Sequence, residues 1–77
     1  MWNYRLFKEW NSIRQGWDFS IREVYYTDSK KIWLIGNSRA PYGEDFKDIL
    51  ANVTQMLQAF SRPVLDINKV KLAKEPQ

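Results

Sequence analysis

The chain contains no cysteine and no histidine among its 77 residues. Their absence excludes a disulfide framework, a zinc finger, a thiol nucleophile and a Ser-His-Asp triad. Glycine and proline occur three times each, and the glycines, at positions 16, 36 and 43, form no phosphate-binding loop. No segment approaches the ~20 apolar residues of a membrane-spanning helix. A chain of this length has room for one domain with a small core.

The positive charge is concentrated at the end of the chain. Basic residues outnumber acidic ones by twelve to nine, but residues 1–68 carry nine basic and eight acidic residues, a net charge of +1. So small a charge is not typical of a nucleic-acid-binding surface. Residues 68–77 are lysine-rich with few apolar side chains, so we expect a flexible basic tail. Residues 1–5 lack the apolar run of a secretory signal, and we expect a cytoplasmic protein.

Alternating apolar and polar residues predict three β-strands, over residues 2–10, 17–26 and 31–35. Turn-forming residues between them predict an antiparallel meander. A second turn centred on residues 28–29 pairs Val24 with Trp33. Tyr26 and Trp33 then lie on one face of the sheet, because side chains alternate across it.

The region after Pro41 and Gly43 predicts an amphipathic helix that begins at the N-cap Asp45 and ends before Pro63. Its apolar residues recur at the spacing of one helix face. We expect this face to form the core together with residues of the first two strands. These predicted core residues are Leu6, Ile21, Phe46, Ile49, Leu50, Val53, Leu57 and Phe60.

The order of these elements predicts the α+β class. We expect a three-stranded antiparallel β-meander followed by one amphipathic helix packed on one face (βββα), as a single domain over residues 1–67. Residues 68–77 follow as the flexible tail.

Four short motifs resemble a family of small uncharacterised bacterial proteins. They are Trp-Asn-Tyr-Arg at 2–5, Ile-Arg-Glu-Val-Tyr-Tyr at 21–26, Ala-Pro-Tyr-Gly-Glu at 40–44 and Arg-Pro-Val-Leu at 62–65. The resemblance covers residues 2–66 and implies a shared fold without an established activity. The chain departs from the family at residues 28–30, where a glycine is expected.

The start of the helix is also similar, more distantly, to the HicB-type antitoxin domain. Gly43, Glu44, Asp45, Phe46 and Asn52 fall at the spacing of that family's helix, which also follows a three-stranded meander. The strands here lack the family's Pro-Asp-x-x-Gly run. This resemblance implies a non-catalytic, dimerising, partner-binding domain.

The acidic residues form no predicted catalytic or metal site. Those at 44–48 lie at the helix start, where capping accounts for them. Glu9 and Glu23 fall on neighbouring strands beside Arg5 and Arg22, an arrangement typical of cross-strand ion pairs. We therefore predict a protein that is not an enzyme and uses no cofactor or metal.

Aromatic residues are the feature present in excess: nine of the twelve lie within the first 33 residues. One helix covers one face of a meander, so the other face is left apolar. That face is either a protein interface, for a second copy or another protein, or a stacking platform for single-stranded nucleic acid with Arg5, Arg22 and Arg39, or core beneath residues 63–67.

We favour the protein interface. The sequence then predicts a non-enzymatic protein-binding module of the size of a small regulator or inhibitor, with single-stranded nucleic acid binding as the alternative. The candidate partner-binding residues are Arg22, Tyr26 and Trp33 at the centre of the face, with Arg5, Trp10 and Trp17 around it.

Overall fold

A computed structural model describes residues 1–75 of the chain. It confirms the α+β class, with one α-helix and a sheet of four strands. The elements are β1 (Trp2–Asn11), β2 (Gly16–Tyr26), β3 (Ile32–Ser38), α1 (Phe46–Leu57), a 3-10 helix (Gln58–Ser61) and β4 (Leu65–Asp66).

The sheet has the strand order β3-β2-β1-β4. The predicted antiparallel meander is confirmed for β1, β2 and β3, but the sheet is mixed, because β4 pairs in parallel with β1. The sequence did not predict β4 as a strand. Two paired residues are too few to show an alternating pattern, and their place beside β1 depends on where the helix returns the chain.

The turn between β2 and β3 contains one residue more than a turn centred on residues 28–29 needs. Lys30 N donates to the Thr27 carbonyl (2.9 Å), and Thr27 N donates to the Lys31 carbonyl (2.8 Å). Lys30 has φ 64°, a left-handed conformation that favours glycine. This is the region where the family resemblance leads us to expect a glycine.

The longer turn overturns the predicted register. Val24 lies opposite Ile35 rather than Trp33, and the pairing shifts between Tyr25 and Tyr26. Trp33 falls at this irregularity, and its ring lies beside the Tyr25 ring, with 6.3 Å between centroids. The predicted common face of Tyr26 and Trp33 is therefore wrong.

The predicted end of β3 at residue 35, before Gly36, is also wrong, since the strand continues to Ser38 and pairs there with Arg22. A Cβ placed at Gly36 would meet Glu23 on β2 at ordinary contact distance, so this position has the space of a regular strand residue.

The predicted helix start is confirmed: the Asp45 side chain caps α1 by accepting a hydrogen bond from Asp48 N (2.8 Å). The helix and the 3-10 turn lie over the sheet face that carries Tyr4, Leu6 and Ile21. Two small or flexible side chains fill this contact, Met56 (3% exposed) and Ala59 (fully buried). We call this side of the sheet the helix face and the other side the tail face.

The segment after β4 crosses the sheet. Ile67 N donates to the Lys8 carbonyl on β1, and Ala73 N donates to the Ile32 carbonyl on β3, at the opposite edge. Phe7 and Val24, both on the tail face, are completely buried. Since α1 occupies the helix face, the crossing segment covers the tail face.

This crossing differs from the basic tail predicted over residues 68–77. Residues 67–73 are joined to the sheet, and Val70 and Ala73 are half-buried. The part of the prediction at residues 76–77 lies outside the described residues.

Gly43 is required by close packing against the first turn of α1. Its φ is not positive, but a Cβ at this position would overlap the backbone of Asp48 and Ile49. We expect Gly43→Ala to lower the free energy of unfolding by about 1–3 kcal/mol, measured by denaturant unfolding. The matched control is Gly36→Ala, whose Cβ meets Glu23 O at 3.5 Å and should change stability by less than about 0.5 kcal/mol. Equal losses in the two variants would contradict this packing.

Phe7 tests the coverage of the tail face. Because Phe7 is completely buried, Phe7→Ala should cost about 3–5 kcal/mol of stability. Phe19→Ala removes the same ring from a side chain that is 60% exposed, and should cost less than about 0.5 kcal/mol. A small loss in Phe7→Ala would show that the crossing segment does not cover this face.

Candidate protein-binding surface

The apolar stripe of α1 points largely into solvent. We use the name apolar helix face for a surface of the helix itself, which is distinct from the helix face of the sheet. It consists of five exposed side chains: Phe46, Ile49, Leu50, Leu57 and Phe60. Phe46 is 77% exposed and Leu57 is 59% exposed. The prediction that these five residues are core is therefore wrong. Val53 is half-buried, and Leu6 and Ile21 are partly buried against the core as predicted.

The helix packs on the sheet through the side of the helix that lies next to the apolar stripe. At about 100° per residue, the contact made by Asn52, Met56 and Ala59 lies roughly 100° around the helix from the apolar stripe. Tyr4 helps to hold this side of the helix against the sheet, since its hydroxyl accepts a hydrogen bond from Asn52 Nδ2 (3.2 Å). Asn52 Oδ1 in turn accepts from Tyr42 N (2.9 Å), which ties the loop before the helix to this side.

A second exposed group, the aromatic sheet cluster, lies at one end of the helix face of the sheet. It consists of Lys8, Trp10, Trp17 and Phe19. The two indole rings meet edge to face at 5.3 Å, and Lys8 Nζ lies 4.4 Å above the Trp17 ring. Trp10, Trp17 and Phe19 remain exposed, so the cation–π contact orients the rings without removing them from solvent.

Glu23 places a carboxylate among the apolar residues of the helix face, where polar neighbours bind it. Glu23 accepts hydrogen bonds from the Tyr25 hydroxyl (2.9 Å) and from Arg39 (3.4 Å). The hydrogen bond to Glu23, with partial burial, raises the pKa of Tyr25 above its ordinary value. Glu23 is thereby paired, and it forms no carboxylate pair with Glu9.

The six predicted partner-binding residues do not share a face. Three of them, Trp10, Trp17 and Trp33, lie on the helix face of the sheet. The other three, Arg5, Arg22 and Tyr26, lie on the tail face. Arg22 is held within the sheet by bonds to Ser20 Oγ (3.0 Å) and the Gly36 carbonyl (3.3 Å).

The structure also separates the parts of the nucleic-acid platform. Arg5 and Arg22 face away from the three tryptophans named above, and Arg39 is engaged by Glu23. Within residues 1–75, no three acidic side chains converge on a common point where a metal ion could bind. No helix in the same range is long and apolar enough to cross a membrane.

Sequence reasoning missed the surface role of the apolar helix face. The stripe itself was identified, but an amphipathic stripe is normally core, and no local signal distinguishes a stripe that meets its own sheet from one that does not. The short, well-placed contacts of Met56 and Ala59 exist only once the helix is docked.

No protein-family model, no curated protein and no solved structure matches this chain.

Glu23→Gln should return the pKa of Tyr25 towards its ordinary value, because a neutral amide no longer favours the protonated phenol. Spectrophotometric titration of tyrosine, with assignment by NMR, measures this shift. In the wild type the raised pKa stabilises the fold below the pKa of unfolded tyrosine, near 10, and this contribution is lost as the pH rises through the folded value. An unchanged Tyr25 titration in Glu23→Gln would contradict the hydrogen bond.

Proposed function

We propose that this protein is a non-enzymatic protein-interaction module that binds a second copy of itself through the apolar helix face. The observation that carries the proposal is the exposure of that face: five large apolar side chains on four turns of helix lie in solvent. Exposed apolar patches of this kind typically mark interaction surfaces.

The spacing of the stripe suits another helix as the partner. Phe46, Leu50, Val53 and Leu57 are separated by four, three and four residues, the alternation of the core positions in paired helices. A second copy presents the same stripe. A twofold axis brings two such surfaces together with every contact made twice, as in the commonest closed oligomers.

The accessible surface is larger than that of a typical compact monomer of this mass. A compact 9.3 kDa monomer exposes about 5,000 Å², whereas this chain exposes 6120 Å², an excess of about 1,100 Å². A standard interface buries about 800 Å² on each partner. The excess is therefore of the size that one dimer interface would remove.

The shape supports the same conclusion. The radius of gyration is 13.8 Å, against about 11.5 Å for a compact domain of this length. The molecule is a slab of 40 × 36 × 20 Å. The exposed apolar stripe lies on the outer side of the helix layer, and a second copy packed there adds a layer over it.

Leu57→Lys tests this interface. Leu57 is exposed in the single chain, so the fold should be retained, as checked by circular dichroism. Burial of an unpaired ammonium at the dimer contact should weaken self-association by about a hundredfold or more. Sedimentation equilibrium over a wide concentration range measures the effect.

The matched control is Gln55→Lys, which adds the same charge on the opposite side of the same helix and should leave the dimer intact. The wild-type melting temperature should also rise with protein concentration. A wild-type protein that stays monomeric at high concentration would overturn self-association, and so would equal effects of Leu57→Lys and Gln55→Lys.

A further inference from the structure

A cleft of about 500 Å³ opens at the end of the sheet where β1 begins and β2 ends. Its lining includes Asn3, Arg5, Tyr26, Lys30 and Arg62. We propose that this cleft binds the phosphate group of a small, soluble phosphate monoester. The cleft involves none of the residues of the apolar helix face, so this site is independent of the proposed dimer.

The cleft carries positive charges that no acidic side chain within residues 1–75 neutralises. Arg5, Lys30 and Arg62 come from three separate segments, and none of the acidic residues within residues 1–75 lines the cleft. The ion pairs formed within residues 1–75 join Arg14 to Asp18 and Arg39 to Glu23, so none neutralises these three cations. Such a concentration of positive charge around a concave site raises the local concentration of anions.

The hydrogen bonds within the cleft leave donors free and occupy acceptors. Arg5 Nη1 donates to the Tyr26 hydroxyl (3.2 Å), and that hydroxyl donates to Asn3 Oδ1 (2.9 Å). The chain of bonds orients Asn3 so that its Nδ2 hydrogens remain available. The side-chain oxygens of Tyr26 and Asn3 are thus engaged, while the Nδ2 group of Asn3 keeps its hydrogens for a ligand.

Arg5 is held in place with donor capacity to spare. Its Nη2 donates to the Pro63 carbonyl (3.0 Å), which anchors the guanidinium between β1 and the chain leading into β4. Its Nε is buried and has no hydrogen-bond partner within residues 1–75. A guanidinium carries five N–H donors, and the bonds to Tyr26 and Pro63 use one from each Nη. The remaining Nη hydrogens of this fixed guanidinium are suited to an acidic oxygen group.

A phosphate monoester matches this charge better than a carboxylate does. The monoester carries a charge of about −1.5 to −2 near neutral pH and has three acceptor oxygens. Three cations and one amide can satisfy those oxygens, whereas a carboxylate leaves two of the positive charges uncompensated. The volume of the cleft limits the ligand to a small molecule.

NMR titration with glycerol phosphate, at constant ionic strength, tests the site. The expected result is saturable shifts of the Arg5 Nε–H and of the amides of Asn3 and Lys30, with acetate giving much weaker binding. Arg62→Gln and Lys30→Gln should each weaken glycerol phosphate binding about tenfold. Within residues 1–75, neither the Lys30 nor the Arg62 side chain takes part in a hydrogen bond that holds the fold.

Lys47→Gln is the matched control, because it removes the same charge from the exposed surface of α1. Equal weakening by Lys47→Gln and Arg62→Gln would overturn the site in favour of diffuse attraction, and equal affinity for acetate would overturn the phosphate class. Vesicles containing phosphatidic acid separate a lipid source from a soluble one. Binding to vesicles without binding of glycerol phosphate would contradict a soluble ligand.

Discussion

The pleat of β1 is the constraint on which the rest of this structure depends. Successive side chains of a strand point to opposite faces, so β1 places Tyr4 on the helix face and Phe7 on the tail face, and both are buried. Each therefore needs its own cover. The helix and the 3-10 turn cover Tyr4, and residues 67–73 cover Phe7. Because β4 also pairs with β1, the elements that follow the meander are all organised around this one strand.

The way in which the helix packs on Tyr4 explains why the apolar helix face stays exposed. Ala59 allows close approach to the sheet, Met56 fills the remaining space, and Asn52 bonds the Tyr4 hydroxyl. This arrangement turns the larger apolar side chains aside. The same docking that completes the core therefore leaves the apolar helix face without a partner within the chain. In the proposed dimer, a second copy of that face covers it.

Much of the local structure could be predicted from the sequence. The three strands of the meander, the Asp45 cap and the end of the helix before Pro63 follow from patterns that act over a few residues. The register of β3 could not be predicted, because Lys30 adopts a left-handed conformation that its residue type does not favour. The cleft could not be predicted either, because Lys30 and Arg62 are distant in sequence and meet through the path of the chain after the helix.

The sequence by itself determined which residues form strands and helix and which side chains share a stripe, because backbone geometry fixes those periods locally. Tertiary structure alone decided which side of α1 meets the sheet, where Trp33 lies relative to Tyr26, and what covers Phe7. These outcomes depend on the fit of side-chain volumes and hydrogen bonds between distant segments. A helical stripe specifies that an apolar surface exists, but the partner of that surface is selected by packing.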